Sequence, residues 1–377
     1  MKFCLKKLLV PAAVFCALAS VIPVRAQSTA QPADPAREHI LLVMTDGLRW
    51  QEVFRGADPS LLTKANNDDR PVDALVRQYV RSTPQQARAA LMPFLWSHIV
   101  PEGEIYGNRD KGSDAHVTNG FNFSYPGYSE TLTGHADPRI NSNDPTPNPN
   151  VTVFEWLNKQ PGLTGQAAAF GAWSVIADAF NRQRCGFTDN AGYDPLTSIP
   201  ITPRLDLLNH IKAETPRIWD DETFDAPTFY TSLEYLQAKH PRLFYLSLGE
   251  TDDWAHAGNY GRYLEAANRV DMYLKRLWEF VQANPDYRGH TTLILLTDHG
   301  RGDAPVEWKS HGQKIPASKY IFIAAMGPGI PHNGEVSGGS AVTQSQIAAT
   351  VAKLVGKNWN KQTPAAGQPL PGITVSH

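Results

Sequence analysis

Five short apolar runs punctuate an otherwise mixed chain, at residues 39–44, 166–170, 243–248, 291–297 and 320–325. Each has the length of a strand, and apolar side chains dominate them without alternating, which is the pattern of strands covered on both faces. Between and around them, residues 72–79, 91–99, 151–159, 203–212, 228–238, 260–283 and 345–354 carry the wider spacing of helices. Buried strands alternating with helices predict an α/β fold, a mostly parallel central sheet flanked by helices. Residues 141–150, rich in Asn and Pro, read as a surface loop. Residues from about 173 to 201 read as a short cap or excursion over one sheet edge. No linker-like stretch or internal repeat divides the chain, so residues 39–377 are expected to form one catalytic domain.

The N-terminus breaks this pattern. Lys2, Lys6 and Lys7 precede a short apolar stretch that exits through Val24, Arg25 and Ala26. That order predicts a secretory signal peptide over residues 1–26, too short for a comfortable membrane span. The polar residues 27–38 are expected to be a flexible lead-in. The whole chain of 377 residues carries a net charge of −2, but the predicted leader holds four basic residues and no acidic one, so the mature net charge is −6. The leader also holds two of the three Cys and leaves Cys185 alone. The expectation is an exported, mildly acidic protein without disulfides and with no stable membrane span after cleavage. The absence of a basic excess argues against nucleic acid as a partner.

Three of the apolar runs end in the same chemistry. The first leads into Asp46 and Gly47, the third into Glu250, Thr251, Asp252 and Asp253 with His256 after, and the fourth into Asp298, His299 and Gly300. Ligand sites of parallel sheets lie beyond the carboxyl ends of the strands, so these groups should converge. One Asp-Gly pair after a strand is ordinarily a turn; the recurrence carries the argument. Three carboxylates meeting in a crevice call for positive charge, and Asp with His suits zinc or manganese. Asp252 and His256, four apart, would share a helix face, with Asp253 the competing ligand. His311, in an exposed-looking loop, adds a further imidazole. Ser124 and Ser129 offer hydroxyls at or near a helix start, where backbone N–H groups and the dipole favour a phosphate; each alone would be a helix cap.

Together these residues resemble the alkaline phosphatase superfamily, and most closely its nucleotide pyrophosphatase/phosphodiesterase-like branch. The resemblance rests on Asp46, then Ser124-Tyr125-Pro126, Asp252 with His256, Asp298-His299-Gly300 and His311-Gly312, in that order over about residues 40–330. It implies two divalent metal ions about 4 Å apart, most often zinc with manganese possible, and a small phosphorylated substrate. Asp46, Asp298 and His299 would bind one ion, with Ser124 as nucleophile on it; Asp252, His256 and His311 would bind the other. Three carboxylates and one alkoxide balance two divalent ions. The hydroxyl-x-Pro pattern selects Ser124 over Ser129.

Relatives often have Asn where this chain has Gly127, so a phosphate contact is missing there. Asn122, Lys309 and Arg301 are the substitutes considered, with Gly127 itself kept as a substrate-binding position. Trp50 and Trp254 are expected to wall a pocket. The implied activity is hydrolysis of phosphoric esters through a phosphoserine at Ser124. Rival readings are a sulfatase-like enzyme, disfavoured because Tyr128 stands where sulfatases carry Arg, a phosphoglycerate-mutase-like enzyme, for which the chain is short, and a catalytically silent metal-binding protein.

Overall fold

The computed structural model describes residues 31–67 and 69–376. The predicted signal peptide lies outside the described residues. The strands are β1 (His39–Thr45), β2 (Gly103–Tyr106), β3 (Ala115–His116), β4 (Ala167–Gly171), β5 (Thr188–Ala191), β6 (Leu243–Leu248), β7 (Thr291–Thr297), β8 (Ile323–Met326), β9 (Gly334–Glu335) and β10 (Val342–Thr343). Eight of them form one sheet in the order β5-β4-β6-β1-β7-β8-β2-β9, and β10 pairs with β3 apart from it. From β5 to β7 all neighbours are parallel, β8 alone is reversed, and β9 runs parallel to β2. This is the α/β sheet that the apolar runs predict.

Alternation along the central strands feeds two cores. Leu41 and Val43 of β1 face one, with Phe244, Leu246, Leu293 and Leu295. Ile40, Leu42 and Met44 face the other, with Tyr245, Ile294 and Leu296. The first core is closed by the helix Tyr260–Ala283, started by the Asn259 side chain on the Arg262 N–H at 3.1 Å. Tyr263, Ala267, Val270, Leu274, Leu277 and Val281 recur along that helix at the spacing of one apolar face. The second core is closed by the helices Ser124–Thr133, Val153–Leu157 and Ile347–Leu354. Truncating one such core leucine to alanine costs about 2–5 kcal/mol.

Several expectations need correction. The fifth run becomes a strand only from Ile323, and it is antiparallel to β7, a direction that apolar composition does not encode. The stretch 173–201 is not only an excursion: β5 within it pairs with β4 and extends the sheet. Residues 91–99 hold the end of the helix Pro84–Leu91 and a π-helical turn, Leu95–Ile99, instead of one helix. The described part of the lead-in, 31–38, is anchored, since Ala33 bridges to Val375 and Arg242 donates to the carbonyls of Pro35 and Glu38.

Candidate functional site

Strands β6, β1 and β7 are neighbours at the middle of the sheet, so their carboxyl ends open onto one place. Asp46 follows β1, Asp298 and His299 follow β7, and β6 leads into the short helix Glu250–His256 that carries Asp252 and His256. The start of that helix is fixed by reciprocal bonds: Asp225 Oδ1 accepts the Gly249 N–H at 2.8 Å, and Glu250 Oε1 accepts the Asp225 N–H at 3.0 Å.

Ser124 is the first residue of the helix Ser124–Thr133, entered from an extended Phe123. Pro126 costs nothing here, because first-turn N–H groups lack helical partners anyway. The Tyr125 N–H is taken by Asn143 Oδ1 at 2.9 Å. The loop before Ser124 is held from beneath by the buried Glu130, which accepts bonds of 2.8–3.0 Å from Thr118 and Asn119. Asn119 Oδ1 in turn accepts the N–H groups of Phe121 and Asn122, and Asn122 adopts a left-handed φ of 56°.

The side chains meet tightly. Ser124 Oγ lies 3.3 Å from His299 Nε2 and 3.5 Å from Asp46 Oδ1. Asp46 Oδ2 accepts the Tyr128 hydroxyl at 2.9 Å, and that phenol oxygen accepts Ser247 Oγ at 2.9 Å. His299 Nε2 is 3.3 Å from Asp46 Oδ1, 3.4 Å from Asp298 Oδ2 and 3.8 Å from Asp252 Oδ1. Asp252 Oδ2 is 3.0 Å from His256 Nε2, which in turn stands 2.9 Å from His311 Nε2. The His299 and His311 rings stack with centroids 3.9 Å apart.

Electrostatics show the strain of this crowd. Burial, together with Asp46, drives the Asp298 carboxyl well above the usual range. Burial opposes charge on His299, but Asp298, Asp46 and Asp252 outweigh it and push its pKa up to about 9. Burial and the neighbouring His299 push His311 down to about 2. Burial also opposes charge on Asp252, yet Arg301, His311 and His256 hold it well below the carboxylate range.

The donor set fits divalent metal. Two groups, Asp46 with Asp298 and His299, and Asp252 with His299 and His311, each bring their ligand atoms within 4.8 Å of one another. Asp298 Oδ1 is used by the N–H groups of Gly47 and His299, while Oδ2 is buried, has no hydrogen-bond partner among the described residues and faces the His299 ring. The His299 Nδ1 lies 2.8 Å from the Gly300 carbonyl; donating there leaves Nε2 its lone pair, as a ligand requires.

All of Asp46, Ser124, Asp252, His256, Asp298, His299 and His311 are thus brought together. Ser129 points elsewhere, its Oγ bonded by Asn148 Nδ2 at 3.1 Å. The four positions expected to contact substrate fare differently. Gly127 presents backbone to backbone: a β-carbon there would stand 2.3 Å from the Asp298 carbonyl oxygen, so it offers no surface to a substrate. Asn122 is buried beside the nucleophile. The Lys309 ammonium sits over Gly258, on the His256 side of the rim. Arg301 is buried and donates to the Asp252 side chain and to the carbonyls of Asp252 and Lys309, so it braces a ligand instead of reaching a phosphate. Trp50 packs into the first core, whereas Trp254 is half-buried against Trp219. Sequence reasoning missed Tyr128 as a partner of Asp46 and Asn143 as the brace of the Ser124 helix; neither spacing nor residue type announced them.

Residues 94–366 match the type I phosphodiesterase / nucleotide pyrophosphatase family, a span that holds every gathered residue except Asp46. No curated protein matches the chain. Among solved structures, wild-type alkaline phosphatase PafA is similar with a TM-score of 0.56 at 10% identity, over 90% of this chain and 99% of that one. An alkaline phosphatase superfamily protein from Vibrio parahaemolyticus is similar with a TM-score of 0.51 at 14% identity, over 90% of this chain and 72% of that one. BT1596, a 2-O GAG sulfatase, is similar with a TM-score of 0.50 at 12% identity, over 90% and 73%. At these identities the likenesses establish the fold.

Proposed function

This chain belongs to the type I phosphodiesterase / nucleotide pyrophosphatase family, and on that premise we propose that it is an exported hydrolase of phosphoric esters, a phosphatase or phosphodiesterase, acting through a phosphoserine at Ser124. The observation that carries the reading is Ser124 Oγ at a helix N-terminus, 3.3 Å from His299 and 3.5 Å from Asp46, inside a set of carboxylates and imidazoles. Asp46, Asp298 and His299 with Ser124 would hold one divalent ion, and Asp252, His256 and His311 the other, zinc or manganese by ligand type. When bound, such ions supply the positive charge that makes a serine alkoxide accessible and offsets charge on the phosphoryl group.

The chain's own groups then divide the work. Ser124 Oγ attacks phosphorus in line, the ester oxygen departs with its alcohol, and water later cleaves the phosphoserine to release phosphate or a monoester. Tyr128 and Ser247 fix the Asp46 carboxylate, and the Gly300 carbonyl fixes the His299 ring. Asn143 Oδ1 accepts the Tyr125 N–H and so braces the start of the Ser124 helix. The substrate is a small phosphorylated molecule. Export rests on the predicted leader at residues 1–26; among the described residues no helix is long and apolar enough to cross a membrane.

The test is a panel of phosphate monoesters, diesters and sulfate esters against the metal-loaded protein, its chelated form and Ser124→Ala. Phosphate-ester turnover lost in the last two supports the reading. Turnover of sulfate esters alone would replace it with a sulfatase, transfer between phosphoglycerates with a mutase, and metal binding without turnover of any ester with a silent binding protein.

A further inference from the structure

The amino ends of the central strands carry a second cluster of charge. His39 opens β1, while Gln166 and Arg242 immediately precede β4 and β6, and these three strands are neighbours in the sheet. Backbone bonds fix the residues side by side: the Ile40 N–H donates to the Arg242 carbonyl at 2.7 Å, and the Leu243 N–H to the Gln166 carbonyl at 2.9 Å. Arg37, His39, Gln166, His240, Arg242 and Asp286 line a cavity of about 320 Å³ there. Asp46, Asp252 and Asp298 follow the opposite ends of their strands, so the catalytic centre does not use this cavity.

Its positive charge is not neutralised. Among the described residues Arg242 bonds backbone alone, its Nε, Nη1 and Nη2 donating to the carbonyls of Glu38, Gly162 and Pro35 at 3.1, 3.3 and 2.8 Å. Each Nη keeps a further N–H. Arg37 is exposed, and its guanidinium has no partner among the described residues. Asp286, the carboxylate in the lining, is taken by His240 Nδ1 at 2.7 Å. Asp34 lies outside the lining and accepts the Ala36 N–H at 3.1 Å. Glu38 is buried beneath, and burial pushes its carboxyl up to about 8, so it carries little charge at neutral pH.

His39 makes the cavity selective. It is only 8% exposed, and its ring packs on Tyr287 with centroids 4.4 Å apart. Its Nδ1 stands 3.2 Å from the Pro241 carbonyl, which can only accept, so Nδ1 carries the proton. Burial, reinforced by Arg242 and opposed by the Pro241 bond, pushes the imidazole down to about 4. The ring is therefore neutral at pH 7, and Nε2 presents a lone pair that has no partner among the described residues. Guanidinium donors beside one such acceptor suit an oxyanion that still bears a hydroxyl. Inorganic phosphate at neutral pH keeps a P–O–H and sulfate keeps none, while a phosphate monoester, with its second pKa about 6, has largely lost it.

We propose that this cavity binds inorganic phosphate, its charged oxygens held by Arg37 and Arg242 and its hydroxyl recognised by His39. The Gln166 side chain, also without a partner among the described residues, adds amide donors. The site stands independently of the hydrolase reading, because none of its residues belongs to the centre.

The experiment titrates the metal-loaded full chain with inorganic phosphate at pH 7 by isothermal calorimetry, and repeats the titration with sulfate. Arg37→Gln, a change at an exposed side chain, should weaken one class of bound phosphate by at least about tenfold while leaving ester turnover unchanged. That class should survive chelation, whereas phosphate at the Ser124 centre should not. Sulfate should bind the Arg37-dependent site at least about tenfold more weakly, since it sets an oxygen without a proton against the His39 lone pair. Phosphate binding that is indifferent to Arg37→Gln overturns the site. Sulfate bound as tightly as phosphate overturns it too, because recognition through His39 is then absent. If all bound phosphate is lost on chelation, the site falls and the hydrolase reading stands. Arg37-dependent binding in a protein that turns over no ester keeps the site and sinks the hydrolase reading.

Discussion

The α-carbon of Gly127 lies flat against the backbone of Asp298, so close that a β-carbon would stand 2.3 Å from the carbonyl oxygen. One contact thereby sets the depth at which the Ser124 helix meets the end of β7, and with it the 3.3 Å between Ser124 Oγ and His299. Backbone cannot yield as a flexible side chain can. Gly127→Ala is therefore expected to cost about 1–3 kcal/mol through overpacking. It should also reduce ester hydrolysis by a larger factor than stability explains, because the hydroxyl moves relative to His299. Thermal melts beside kcat at a temperature where the variant is folded test this; a variant with unaltered kcat would show that the contact does not set the geometry.

Two hydroxyls on one helix give a sharper comparison. Ser124→Ala should remove at least about 10³-fold of turnover while leaving the fold intact. Ser129→Ala loses only the bond from Asn148, worth about 1 kcal/mol, and should keep turnover within a few fold. Reversal of the two outcomes would move the nucleophile to Ser129.

Metal removal should show in stability as well as in activity. Asp298 Oδ2 is buried with no hydrogen-bond partner among the described residues, and Asp46, Asp298 and His299 crowd together at 3.3–3.4 Å. An ion that binds only the folded chain stabilises it by about 2.7 kcal/mol at a hundred times its Kd. Chelator should lower the melting temperature reversibly, with zinc or manganese restoring it. Asp298→Asn should lower the bound-metal content below that of the unaltered protein. A melting temperature indifferent to chelator would remove the case for a metal centre.

What could be read from the chain follows from what each element buries. β1, β4, β6 and β7 are buried along their length, so their residues had to be apolar and the runs stand out. β5 is Thr188-Asp189-Asn190-Ala191, and β9 is the pair Gly334-Glu335; short and partly polar, they satisfy backbone groups at the sheet's rims without an apolar signature. The direction of β8 is set by the chain path before it, which composition does not record. Within the site, Asp46, Asp252 and Asp298 are legible because buried carboxylates at strand ends are costly and therefore rare. Tyr128, Asn143 and Arg301 resemble ordinary core or loop residues until tertiary packing puts each against its partner.

The far rim of the sheet carries a pH dependence of its own. Glu335 of β9 receives Arg88 at 2.8 and 3.1 Å, and also Lys111 and Asn108, tying the edge strand to the helix Pro84–Leu91 and to the turn after β2. Burial opposes its charge, but Arg88, Lys111 and Asn108 outweigh burial and depress its pKa from 4.5 to about 2. A depressed folded-state pKa means stability fully present above about pH 4.5 and lost as pH falls toward 2, because the unfolded chain takes up the proton first. Glu335→Gln keeps the shape and removes the titration. It should be less stable than the unaltered protein at pH 6, and its stability should decline less steeply between pH 4.5 and 2.5. Urea unfolding at half-unit pH intervals reads this directly; parallel curves for the two proteins would mean that the Glu335 charge contributes nothing to holding the edge.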